Sequence, residues 1–318
     1  MVYTEMFTLF VFIIILAKAA SVVVENASKL SKFFGISQLA IGFLFISVCT
    51  TLPELSVSVI SSTLEEGAIA AGNVFGSNIV NILLILGVGS ALYGLKIKRE
   101  EVQDIGIILV LTTVISAYII FNSTVAGQAL GLLEGIILIL LFGGYAVYML
   151  SKRKIDTNGK EITKHEALYA FLYFSTGVIL VLVSSGFVVD SAVKISRELN
   201  IAESIIGATV IALGTSLPEM SIALQAIRKK HYGIALGDAL GANMTNLTLV
   251  LGVASVINPI SVILPVFIAA LLFAIIANIL LLYAASVKRG ITQKNGILFM
   301  LIYILFILVT ISLIITTR

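Results

Sequence analysis

Hydrophobicity in this chain comes in blocks, and their length leaves few folds open. Runs of about 20 apolar residues, enough to cross a hydrocarbon core, lie at roughly 5–28, 37–62, 68–94, 103–121, 128–150, 166–193, 201–227, 233–257, 259–284 and 295–316. In lipid, every backbone N–H and C=O must be satisfied internally, which for segments of this length means helices. Of 318 residues, 59% are hydrophobic and 12% charged, with a mean hydropathy of +1.13. A soluble domain carries about 25% charge, and the ten runs leave no room for one. The expectation is an all-α integral membrane protein with ten transmembrane helices and the lipid bilayer as its surroundings. The first run lacks the basic start of a signal peptide, and residues just after it recur in the second half, so it reads as a retained helix.

Charge placement supports the count. With loops assigned alternately to two faces, 16 of the 20 basic residues fall on one face. The other holds only Lys194, Arg197 and Arg318, with Lys18 inside the first span. Cytoplasmic loops carry the basic excess, so a cell-membrane protein with both termini outside is expected, its loop 151–165 cytoplasmic. The single cysteine, Cys49, rules out an internal disulfide or a cysteine cage. His165 and His231 fall in loops without a ligand partner at metal-binding spacing. No nucleophile–base pair sits at depth, so an enzyme is not expected. No cofactor, nucleic acid or obligate protein partner is implied.

A shift of 165 residues aligns 41–90 with 206–255 without a gap, giving 19 identities in 50 positions. The match includes Thr50/Thr215, Pro53/Pro218, Glu54/Glu219, Gly76/Gly241, Asn78/Asn243 and Asn81/Asn246. Upstream, Glu25 meets Asp190 and Lys29 meets Lys194. The unit holds five spans, an odd number, so the second copy enters the membrane from the opposite side. Inverted repeats of this kind mark secondary transporters that bind substrate near the midplane, where discontinuous helices meet. Residues 1–150 form the first five-helix repeat and 166–318 the second, joined by the polar loop 151–165.

Both copies place proline and glutamate together in an apolar run, "CTTLPELS" at 49–56 and "GTSLPEMS" at 214–221. Proline inside a helix releases the carbonyl four residues back, here those of Cys49 and Gly214, and loosens those of Ser47–Thr50 and Ala212–Thr215. Free carbonyls at depth must face protein or a wet cavity. Thr50 and Glu54, and likewise Thr215 and Glu219, are four apart and so expected on one helix face. Carbonyl, hydroxyl and carboxylate oxygens then converge in each half. Hard cations such as Ca²⁺ take six to eight oxygens, which two half-sites can supply. An ionised carboxylate at the bilayer centre costs at least about 2.5–3.5 kcal/mol, and Lys18, the one basic residue at depth, has no repeat partner. The transported cation is therefore the expected counter-ion of Glu54 and Glu219.

The following span adds Asn73, Ser77 and Asn81 in one half, and Asp238, Ala242 and Asn246 in the other. Glycines beside them allow close helix approach. Asn81 and Asn246 read as lining the site; Asn78 and Asn243 either line it or pack helices. Asp238 lies two turns, about 12 Å, from Asn246 and reads as a vestibule charge. Glu65 and Glu66 read as a solvated loop tip.

"TTLPE", "GTSLPE", "GNVFGSN" and "GDALGAN" resemble the α-repeats of the calcium/cation antiporter superfamily, most closely the archaeal and bacterial sodium/calcium exchangers. The resemblance implies that Glu54 and Glu219 bind both Ca²⁺ and Na⁺, with the backbone of Thr50 and Thr215 contributing to the Ca²⁺ site. It places Ser47, Ala212, Thr51, Ser216 and Ser77 at flanking Na⁺ sites, and Asn81 and Asn246 between the glutamates. It also implies that the first and sixth helices move as a gate. The chain departs from the family pattern in carrying Asn246 for aspartate, Ala242 for serine, Cys49 for glycine and Asp238 for asparagine. The function expected is Ca²⁺/Na⁺ antiport, with Ca²⁺/H⁺ antiport at the same site and a cation channel as rivals.

Overall fold

The structure is a computed structural model describing residues 2–126, 130–151, 162–199, 212–260 and 264–316. Among the described residues the long elements are all helices. In chain order the helices are α1 (Val2–Phe34), α2 (Gln38–Thr50), α3 (Leu52–Thr63), α4 (Gly67–Tyr93), α5 (Val102–Ala126) and α6 (Leu132–Ser151). Then follow α7 (Lys164–Glu198), the short α8 (Ala212–Thr215), α9 (Leu217–Arg228), α10 (Tyr232–Ile257), α11 (Leu264–Lys288) and α12 (Gln293–Thr316). Among the described residues, eight helices are long and apolar enough to cross a membrane, and α2 with α3 makes a ninth span bent by 46°. Of the run expected at 201–227, residues 201–211 lie outside the described residues, as does most of the loop 151–165.

The 165-residue offset reappears in the element bounds. Helix α3 maps onto α9 residue for residue, and α4 onto α10 to within a residue. Even the turns repeat. Glu65 and Lys230 both stand at φ 62°, the left-handed region, closing the preceding helix before Glu66 and His231 start the next.

Packing follows the same offset. The equivalent helices α1 and α7 lie along each other, as do α5 and α11. The C-terminal part of α4 packs on α12, and that of α10 on α6, so each half's last helix is held by the other half. Two short antiparallel contacts lie at these crossings, Leu95–Lys96 with Gly290–Ile291, and Leu130 with Ile260.

Burial places α4 and α10 at the centre. Within their most apolar stretch 78% is buried, against 17% for α12, whose Leu301, Ile304, Leu305 and Leu308 face outward as lipid-facing side chains do. The glycines of α10 permit this depth. A Cβ at Gly237 would strike the Leu39 carbonyl, and one at Gly241 would come within 2.7 Å of the Phe43 Cα, so the two backbones touch. The repeat predicts 204–211 as the region facing Gly72 and Gly76, and it lies outside the described residues. Both central helices widen into π turns, at Val80–Leu86 and Asn246–Val250. Such turns recur at functional positions because they re-aim side chains, and here they carry Asn81 and Asn246.

Candidate cation site

The repeated Leu-Pro-Glu does not kink a continuous helix. Helix α2 stops at Thr50, Thr51 stands at φ −78°, ψ 4°, and α3 starts at Leu52 with Pro53 in its first turn. Ser216 makes the same break (φ −89°, ψ 9°) between α8 and α9. Proline is at home there, because the first N–H groups of a helix have no intrahelical partner to lose. This corrects the expected mid-helix kink and puts Glu54 and Glu219 in the first turn of α3 and α9, where the helix dipole favours a negative charge.

Thr51-Leu-Pro-Glu54 and Ser216-Leu-Pro-Glu219 have the spacing of a capping box, yet neither forms one. The Thr51 hydroxyl turns back to the Ser47 carbonyl (2.8 Å). Ser216 instead donates across the molecule to Glu54 Oε1 (3.3 Å), and Ser77 donates to the same oxygen (3.4 Å). The Glu54 carboxylate is thus tied to a hydroxyl of α4 and to one from the other half.

The loosened carbonyls expected at Ser47–Thr50 are partly occupied. That of Ser47 accepts from the Thr51 N–H (3.0 Å) and from the Thr51 hydroxyl. The Ser47 hydroxyl bonds the Phe43 carbonyl. Thr50 and Glu54 do not share a helix face, because the bend separates them. Thr50, fully buried, donates to Asp238 Oδ1 (3.3 Å). Asp238 is therefore an interior residue at 0% exposure and not a vestibule charge. The axial separation from Asn246 holds, but α2 crosses α10 closely enough to close the vestibule there.

Both glutamates are 1% exposed. Glu54 Oε2 has no hydrogen-bond partner, and neither oxygen of Glu219 accepts a bond of ordinary geometry, although the Thr50 side chain faces it. Lys18 is exposed on α1 and offers them no ion pair. Thr215, which ends α8, is half-buried and lines a cleft of about 420 Å³ with Pro53, Ser185, Val189 and Asp190. Ala212 opens α8.

Four asparagines join α4 to α10 in two reciprocal pairs. Asn78 Nδ2 donates to the Asn243 carbonyl (3.3 Å) and Asn243 Nδ2 to the Asn78 carbonyl (3.1 Å). Asn81 Nδ2 donates to Asn243 Oδ1 (3.0 Å) and Asn246 Nδ2 to Asn78 Oδ1 (3.1 Å). Asn78 and Asn243 thereby hold Asn81 and Asn246, whose own amide oxygens are left without partners. Together with the unbonded oxygens of Glu54, Glu219 and Asp238, this leaves six buried carboxylate and amide oxygens without a hydrogen-bond partner among the described residues. Among the described residues no three acidic, histidine or cysteine side chains form one metal-holding group. A bound cation would therefore draw on amide, hydroxyl and carbonyl oxygens as well, which is how hard, oxygen-seeking cations are held.

The sequence model of the family described as sodium/calcium exchanger protein matches residues 4–151 and 169–312. The chain belongs to that family. The inner membrane protein YrbG of Escherichia coli (strain K12) is 32% identical to this chain over 79% of each sequence. The sodium/calcium exchanger MaX1 of Methanosarcina acetivorans is 27% identical, covering 93% of this chain and 95% of MaX1. A solved structure of the sodium-calcium exchanger NCX_Mj, soaked with zero Na⁺ and Ca²⁺, superposes with a TM-score of 0.81 at 26% identity. That match covers 96% of this chain and 98% of NCX_Mj. The protein is accordingly a multi-pass membrane antiporter of the sodium/calcium exchanger family.

The signal for Asp238 was available in the exchange of residue types along α10, where the acidic group stands at 238 and the amide at 246. What the sequence could not show is that α2 seals over it.

Proposed function

We propose that this chain exchanges Ca²⁺ for Na⁺ by alternating access, through ten transmembrane helices arranged as two inverted five-helix repeats. The observation that carries the reading is the pair Glu54 and Glu219, buried at two equivalent helix breaks with carboxylates that no cationic side chain among the described residues neutralises. A divalent cation balances both charges, and so do two or more Na⁺. Ca²⁺ would bind between the glutamates with Asn81, Asn246 and the backbone of Thr50 and Thr215. Ser47, Thr51, Ser77, Ala212 and Ser216 would serve flanking Na⁺. The reciprocal asparagine pairs support the inverted repeat, since contacts in which each half does to the other what is done to it arise about a two-fold axis. The printed names of MaX1 and NCX_Mj support the choice of ions. Both termini would lie outside and loop 151–165 in the cytoplasm.

Reconstituted into vesicles at clamped pH, the protein should take up Ca²⁺ when Na⁺ is made to flow outward. Uptake that ignores Na⁺ and follows an imposed pH gradient would assign it to H⁺ coupling at the same carboxylates, and passive Ca²⁺ leak without either gradient to a channel.

A further inference from the structure

The two ends of the site are not alike. At the Glu54 end, two hydroxyls, Ser77 and Ser216, donate to the carboxylate. At the Glu219 end the equivalent positions are Ala242, which has no hydroxyl, and Thr51, whose hydroxyl is spent on its own helix. A carboxylate stands there instead. Asp238 is fully buried, its Oδ1 accepts from Thr50 and its Oδ2 has no partner. Glu219 is an acidic neighbour close enough to act on it electrostatically. Among the described residues no lysine, arginine or histidine pairs with Asp238.

Its repeat counterpart shows what a neutral residue does in this place. Asn73 Nδ2 donates to the Glu54 carbonyl (3.1 Å) and to Ser58 Oγ (3.2 Å), closing two acceptors of its own half. An ionised aspartate can donate to neither, so Asp238 brings a charge where Asn73 brings a tie. Nor can the backbone at Asp238 move off. Built onto Gly42, a Cβ would come within 2.9 Å of the Asp238 N, and Gly237 and Gly241 on either side touch α2.

We propose that Asp238, Glu219 and the Thr50 hydroxyl form a second cation position, for a monovalent alkali ion, occupied while Ca²⁺ sits between Glu54 and Glu219. This rests on the exchange reading above and deepens it. Two glutamates balance one Ca²⁺. The third carboxylate remains, at a depth where an unbalanced charge is expensive, and one monovalent cation balances it. The residues that the family resemblance assigns to ion binding do not include Asp238.

Equilibrium binding to the purified full-length protein at saturating Ca²⁺ tests this, with radiolabelled Na⁺ in one arm and radiolabelled Rb⁺, standing in for K⁺, in the other. The wild type should retain about one monovalent ion per chain, the number that balances the third carboxylate, and the arm that retains it names the ion. Asp238→Asn and Asp238→Ser should retain none while their Ca²⁺ affinity changes by less than about tenfold, since a neighbouring unit charge is removed and no central ligand is lost. A parallel measurement is the rise in Tm that the monovalent ion gives the Ca²⁺-loaded wild type, which both variants should lack. Equal retention by wild type and either variant overturns the proposal. So does a wild type that binds Ca²⁺ with no monovalent ion, leaving the exchange reading intact. A wild type that binds no Ca²⁺ removes both.

Discussion

Glu54 and Glu219 share a sequence motif but not a set of partners, and their variants separate the two. Glu54→Gln and Glu219→Gln keep the shape and remove the charge that no protein cation balances. Each should lower Ca²⁺ binding at least about 100-fold, because hydrogen bonds and ligands to a buried charge are worth more than those to a neutral group, while size-exclusion behaviour stays unchanged. Ser216→Ala removes a hydroxyl donated to Glu54 from the other half. Loss of a donor to a charged acceptor costs about 1.5–3 kcal/mol, so Ca²⁺ affinity should fall by roughly ten- to 100-fold. Thr51→Ala, at the repeat-equivalent position, removes a hydroxyl that bonds its own helix and should change affinity by less than about threefold, the effect of a small local term. Calorimetric titration of Ca²⁺ into both variants decides it, and equal losses would mean the cross-half contact has no part in binding.

At the scale of elements, what positions the site is backbone contact between α2 and α10. The glycines of α10 have no substitute there. Gly237→Ala would drive a methyl group into the Leu39 carbonyl, and backbone cannot give way as a side chain can. Overpacking of this kind costs typically about 1–3 kcal/mol, and the displaced α10 carries Asp238, Asn243 and Asn246 with it. The variant should lose both thermal stability and Ca²⁺ binding. Gly143→Ala is the control: a Cβ there meets nothing within 4 Å, and alanine favours helix over glycine by about 1 kcal/mol. A Tm for Gly143→Ala at or above wild type, beside a lowered one for Gly237→Ala, is the expected pattern. Comparable losses in both would show that helix propensity, and not contact, governs these positions.

Helices α1 and α7 lie along each other, and among the described residues few polar ties join them to the remaining helices. Lys194 links the start of α1 to the end of α7 through Glu5 (3.7 Å) and Asp190 (2.6 Å), within the pair. Lys229, at the C-terminal end of α9, reaches Glu25 and Ser21 of α1 and so ties the pair to the rest. Glu25 is 57% exposed at its side chain, and ion pairs of that kind are worth about 0–1 kcal/mol. If the pair slides during transport, Lys229→Gln should shift the balance of open states by at most about fivefold, the equivalent of 1 kcal/mol. That shift would be read as unequal changes in apparent Ca²⁺ affinity on the two sides of right-side-out and inverted vesicles. Equal changes on both sides, or none, would place the moving boundary elsewhere.

The sequence alone determined the class and the inventory. Apolar length demands helices because lipid offers backbone groups no partner, and a gapless 165-residue repeat dictates two equivalent halves whatever their arrangement. The pair Glu54 and Glu219 was legible for the same reason: an unpaired carboxylate at depth is too costly to be idle. Which oxygens are free was not legible, because that depends on contacts between residues more than 130 positions apart. Ser216 meets Glu54 and Ser77, Thr50 meets Asp238, and the asparagines of α4 and α10 satisfy one another. Local spacing suggested that Thr50 and Glu54 share a helix face, and the break at Thr51 put them on different helices. It suggested a vestibule for Asp238, and the close crossing of α2 over Gly237 and Gly241 buried it. Side-chain chemistry is written along the chain, but the pairing of polar groups in a low-dielectric interior is settled by whichever partner the fold brings within reach.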